Sequence, residues 1–175
     1  SFTAAKNGNA DTPTGVNGSF SFTVSLQKGA SSAVTSSISG TITAADFTGQ
    51  TNAELVAAAK AAIEGTAYAV SQTDANTQTE VKTWLVQTIN ALPGYSDTGI
   101  AVTAENINIS SFNTATAGDE DNHNGSNGTF TFQVTLQKGA VQNITTSITG
   151  IITAQQYVPS GNPDDNKPDD SKPDD

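Results

Sequence analysis

Apolar and polar side chains alternate through Phe20-Ser21-Phe22-Thr23-Val24-Ser25-Leu26, a period of two that predicts a half-buried strand. Gln27-Lys28-Gly29-Ala30 then reads as a hairpin loop, with Gly29 supplying the positive φ. The return run places Val34, Ser36, Ile38, Gly40 and Ile42 on one parity and Thr35, Ser37, Ser39, Thr41 and Thr43 on the other. This predicts a hairpin with a Phe/Val/Ile face and a Ser/Thr face. The apolar face cannot remain in water, so something must cover it.

The pattern occurs twice. At an offset of 110 residues, positions 1–47 align without a gap on 111–157, and 23 of those 47 are identical. The second hairpin carries Phe130, Phe132, Val134 and Leu136 and returns through Ile144, Ile148 and Ile152. Both phenylalanine pairs, Phe20/Phe22 and Phe130/Phe132, are therefore expected in a core.

Between the copies the period changes to helical. Thr51-Asn52-Ala53-Glu54 has the form of a capping box, followed by a stripe of Leu55, Val56, Ala59, Ala62 and Ile63 and a stop at Gly65. Tyr68–Gln72 reads as a short strand or extended connector. A second capping box, Thr77-Gln78-Thr79-Glu80, opens a helix with Val81, Trp84, Leu85, Ile89 and Leu92 on one face, ended by Pro93-Gly94. Ile100, Val102, Ile107 and Ile109 then predict strand, with a turn or bulge at Ala104-Glu105 and a polar loop over 113–128. The fold class expected is α+β: antiparallel hairpins forming a sheet, with a two-helix layer packed on one face. Residues 1–48 read as the β-rich half of one repeat, whose helical half would lie upstream, and 49–157 as a complete repeat. Residues 158–175 repeat Pro-Asp-Asp every five positions and read as an acidic, disordered linker to a further domain or a wall anchor.

Composition narrows the function classes. The net charge is −10 and arginine is absent, which leaves no electrostatic footprint for nucleic acid and disfavours anionic membrane surfaces. No apolar run approaches the roughly 18 residues of a membrane helix. Cysteine is absent, so neither disulfides nor thiolate chemistry arise. Methionine is absent too, which reads as a fragment or a processed product. A chain rich in Thr, Ser, Asn and Gly with few charges suggests a secreted or cell-surface location.

Several stretches carry a resemblance: Ala57-Ala58-Ala59-Lys60-Ala61-Ala62-Ile63-Glu64-Gly65, Val81-Lys82-Thr83-Trp84-Leu85, Ile107-Asn108-Ile109-Ser110-Ser111-Phe112 and the Asn-Gly-(Ser/Thr)-Phe hairpins. Together they resemble tandem repeat modules of secreted and surface-attached bacterial proteins, often found beside glycan-degrading or S-layer homology domains. The resemblance implies a module whose partners are neighbouring domains of its own polypeptide, and it implies no activity and no functional residue.

The candidate chemistry is sparse. Asp119, Asp121 and Asn122, ahead of His123 and Gly125, place oxygen ligands as the start of a calcium loop does, but Phe130 stands where the bidentate acid belongs. The alternative is a solvated acidic loop. Glu54 and Glu80 are accounted for as helix caps and Glu64 lies at a helix end. Glu105 alone does not make the carboxylate pair of a glycosidase. His123 has no nucleophile in view. An enzyme is not expected, nor a cofactor. Tyr95 and Tyr157 are candidate sugar-stacking rings if exposed, whereas Trp84 lies on an apolar stripe and belongs to the core. The Ser/Thr faces read as the wet sides of sheets. These features point to a non-catalytic spacer module, with a carbohydrate-binding or adhesive module and a self-assembling subunit as the alternatives.

Overall fold

A computed structural model describes residues 1–159. The strands are β1 (Phe2–Thr3), β2 (Gly18–Phe22), β3 (Ser25–Lys28), β4 (Ser31–Val34) and β5 (Ile38–Ile42). Helix α1 (Asn52–Glu64), strand β6 (Tyr68–Ser71) and helix α2 (Gln78–Asn90) follow, then β7 (Ile107–Asn113), β8 (Gly128–Lys138), β9 (Val141–Ile144) and β10 (Ile148–Thr153). The class is α+β, as the periodicities predict. The calcium-loop residues, Tyr157 and both hairpin turns fall within the described part; the Pro-Asp-Asp repeat beginning at 163 lies outside it.

The chain groups into two compact units. The first comprises Ser1–Thr66, Leu85–Asn108 and Gln133–Ile148. It contains a three-stranded antiparallel sheet, β1-β2-β5, and the β3-β4 hairpin. Here α1 packs on β9. Lys60 Nζ donates to the Ile144 carbonyl at 2.6 Å and pairs with Glu64 at 2.9 Å, while Glu64 accepts the Thr146 N–H. Val56, Ala59, Ile63, Leu85, Ile89, Val134 and Leu136 are buried in this unit. Both halves of the α1 capping box form: Thr51 accepts the Glu54 N–H, and Glu54 accepts the Thr51 N–H at 2.8 Å.

Among the described residues the second unit comprises Ala67–Trp84, Ile109–Phe132 and residues 149–159. Its core is aromatic. Tyr68 meets Phe132 edge-on at 5.0 Å and Trp84 at 6.3 Å, and Trp84 meets Phe130 edge-on at 6.3 Å. β6 pairs in parallel with β10, Tyr68 opposite Gly150. The sheet of order β6-β10-β8-β7, with β9 on β8, is therefore mixed rather than wholly antiparallel. A parallel neighbour needs a long crossover, and the stretch from Tyr68 to Ile148 provides one.

Three expectations are corrected. Ile100 and Val102 are buried but not in a strand; the chain turns through a 3-10 helix at Ala104–Asn106, capped reciprocally by Thr103 and Asn106. The return limb of the first hairpin is not one strand. Phe22 pairs with Ile38 but Ser25 pairs with Val34, so three steps on one side match four on the other. That is a bulge, one extra residue within 35–37. The Thr35 hydroxyl fills the gap by accepting the Val24 N–H at 2.9 Å, as Thr145 does for Val134 in the second copy. A one-residue slip reverses facing, so Val34, opposite Ser25, leaves the apolar face and is exposed. Ile144, opposite Thr135, is exposed for the same reason. The third correction concerns the first copy's phenylalanines. Phe22 is 48% exposed and Phe20 half-buried, whereas Phe130 and Phe132 are fully buried.

Candidate functional site

The two copies build nearly the same local geometry from the residues they share. Phe20 sits over Gly40 so closely that a Cβ there would come within 2.4 Å of the ring, and Phe130 sits over Gly150 in the same way. The hairpin turns carry Gly29 and Gly139 at φ +58° and +57°, as the sequence predicts. Asn17 accepts the Ala44 N–H, and Asn127 accepts the Ala154 N–H. Asn9 accepts the N–H groups of Asp11 and Thr12, and Asp119 those of Asp121 and Asn122.

This last pair shows what the acidic loop does locally. The carboxylate of Asp119 is committed to a local turn of the type that Asn9 makes without a charge. Among the described residues no group of three or more acids and histidines is gathered as a metal would require. Asp121 and Asn122 are exposed beside it. His123 stacks on Tyr157 at 5.5 Å with the rings 6° from parallel, and the Tyr157 hydroxyl donates to Glu120 at 3.3 Å. Tyr157 is thus half-buried and holds the loop rather than standing free. Tyr95 cannot offer a ring to a sugar: it is 1% exposed, in the turn after α2. Trp84 is half-buried between Tyr68 and Phe130.

The carboxylates with shifted acidities all serve structure. The Asn76 and Thr77 N–H groups hold Glu80 below its usual range, as the Thr51 N–H does for Glu54. The Thr146 N–H, then Lys60, does the same for Glu64. Glu105 is exposed. Nothing among these residues pairs an acid with a base around a space where a substrate atom could react.

Two features escape a reading of one copy at a time. The first is Asp11. Its Oδ1 accepts the Asn52 side-chain amide at 2.7 Å and the Ala140 N–H at 3.1 Å, and the Ala10 carbonyl accepts the Asn52 N–H at 2.9 Å. The Asn52 bond, then that from Ala140, holds its carboxyl below the usual carboxylate range. A loop of the first copy is thereby tied to the helix start and the hairpin turn of the second. The sequence did hold a signal, because Asp11 and Asp121 are the only acid kept at matching positions of both copies.

The second feature is the open face of the first hairpin. Pairing sets Phe2 beside Phe20, Phe20 beside Gly40 and Phe22 beside Ile38, all on one face. Phe2 is 71% exposed and Leu26 57%, where Leu136 of the second copy is at 0%. A shallow groove of about 330 Å³ runs beside Leu26, Lys28, Ser31 and Ala33. Clusters of exposed apolar side chains of this kind mark interaction surfaces.

The fold and these surfaces define an α+β module with a duplicated hairpin. Comparison with protein-family models, with curated proteins and with solved structures finds no match for the chain.

Proposed function

We propose that this chain is a non-catalytic structural repeat module of a larger secreted or cell-surface bacterial protein, serving to space other domains and to set the geometry between successive repeats. The observation that carries this reading is the Asp11 joint. The acid preserved through the duplication bonds Asn52 and Ala140 of the next copy, and no preserved side chain is arranged for reaction. Identical residues at matched positions shape turns, bulges and ring-over-glycine packing, which are requirements of folding.

The test is a broad screen of the purified chain. Thermal-shift measurements against a glycan panel, with pull-down on insoluble polysaccharides and assays on glycoside, ester and peptide substrates, should show no shift, retention or turnover. Retention on a polysaccharide abolished by Tyr157→Ala would overturn the reading in favour of a carbohydrate-binding module. Turnover of any substrate would overturn it in favour of an enzyme.

A further inference from the structure

We infer that the open face of residues 18–42 is a docking surface for a helical pair patterned like residues 51–92, supplied by another repeat of this same kind joined ahead of Ser1. The inference rests on the modular reading for the identity of the occupant.

The chain contains its own reference state. Phe22, Val24 and Leu26 are 48%, 37% and 57% exposed, whereas their counterparts Phe132, Val134 and Leu136 are all at 0%. The counterparts share their side chains, and Val24 and Val134 make the same pair of bonds with Thr35 and Thr145, although β8 runs unbroken beside β7 where the first copy divides into β2 and β3 beside the short β1. The larger difference is the covering layer. Around the second hairpin, α1 packs on β9 and Trp84 of α2 lies edge-on to Phe130. Among the described residues nothing equivalent covers the first.

The ends of the interface agree. A Cβ on Gly139 would strike Asn52 and Asp11 at 2.4 Å, while nothing lies within 4 Å of Gly29. The turn that one copy uses to receive a helix start is thus vacant in the other. Delivery is also set by the fold. The terminal amine of Ser1 donates to the Ser21 carbonyl and the Ser21 N–H to Ser1, so a residue ahead of Ser1 enters alongside the edge of β2. In the second copy β7 runs from Ile107 through Ser111, the counterpart of Ser1, into Asn113. The occupant is therefore amphipathic, with Val/Ala/Ile and Val/Leu/Ile stripes at helical spacing, and it engages an apolar face rather than a charged one.

The experiment compares the full chain with a version carrying its own residues 48–110 ahead of Ser1, which reproduces the 110-residue register. Amide hydrogen exchange and binding of the apolar dye ANS are read on both, with mass determined by light scattering. In the extended chain, exchange over 20–26 should slow by about a hundredfold, approaching that over 130–136. Dye fluorescence should fall with it. A third version, with serine at the added counterparts of Val56, Ile63, Leu85 and Ile89, should lose both effects while 130–136 stay protected. Unchanged exchange over 20–26, with the added segment helical by circular dichroism, would overturn the inference. So would protection already present in the unextended chain as a dimer, because a second copy would then be the occupant. Neither result involves ligand or turnover, so failure here is distinct from failure of the spacer reading.

Discussion

Truncating the same leucine in the two hairpins should have very different costs. Leu136 is fully buried, and Leu→Ala at such a site removes the transfer free energy of the lost methyl groups and leaves a cavity. The expected loss is about 3 kcal/mol, within a typical range of roughly 2–5. Leu26 keeps 57% of its surface in water. Only the buried remainder contributes, no enclosed cavity forms, and the expected loss is about 0.5–1 kcal/mol. For a domain of this size each kcal/mol moves Tm by roughly 2–4 °C, so Leu136→Ala should lower it by about 6–12 °C and Leu26→Ala by about 4 °C or less. Urea unfolding followed by far-ultraviolet circular dichroism and by fluorescence of Trp84, the only tryptophan, should show the same order in midpoint at constant slope. Equal losses at the two sites would refute the argument, since they would mean that the first hairpin is covered in solution after all.

Further outcomes follow from the same contacts. Gly150→Ala should destabilise strongly, because its Cβ would lie against the ring of Phe130, which is fully buried and cannot swing aside; Gly40→Ala should be milder, because half-buried Phe20 can move. Thermal unfolding of the pair checks this. Asp11→Ala should speed exchange of the Ala140 and Asn52 amides and leave that of Phe132 unchanged. The pKa values of Glu54, Glu64 and Glu80 are held below the ordinary 4.5, and that of Asp11 below 3.8. Their contribution to stability is therefore complete above those values and is lost as pH falls through the lower folded-state ones. Urea midpoints measured from pH 7 down to about pH 2 should fall below about pH 4.5, and less steeply in Glu64→Gln.

Much of this fold was legible because each element carries its own local signal. Both capping boxes, the Gly65 stop and the positive φ at Gly29 and Gly139 depend on residues within a few positions of one another. The bulge did not show, because Thr35 fits an alternating strand as well as it fits a hydroxyl that accepts a backbone N–H. The parallel pairing of β6 with β10 joins residues some 80 positions apart, and nothing in Tyr68–Ser71 specifies its partner. Of the candidate site residues, Tyr95 follows a Pro-Gly turn that suggests exposure, whereas it is buried. Asp11, an acid in a polar loop, resembles any solvated charge until Asn52 and Ala140 are placed beside it.

The duplication turns exposure from a description into an inference about cause. Ordinarily an exposed Phe or Leu can be attributed to its sequence, its strand geometry or its surroundings, and one structure does not separate these. Here Phe22/Phe132, Val24/Val134 and Leu26/Leu136 hold the residue type constant. The Thr35 and Thr145 bonds and the rings over Gly40 and Gly150 are common to the two hairpins, which differ in the strand beside them, β1 or the longer β7. What remains is the surroundings. An apolar face left in water forgoes about 25 cal/mol for each square ångström that a partner would cover, and it invites association. Both copies nonetheless keep the full apolar set at Phe20, Phe22, Val24 and Leu26 and their counterparts, and the first charge on that face is Lys28 or Lys138, at the turn end of the hairpin. A surface whose role was to stay wet would gain by exchanging one of these for a Lys or a Glu, the usual guard of an exposed sheet. That no such guard stands between Phe20 and Leu26 is what a surface made to be covered requires.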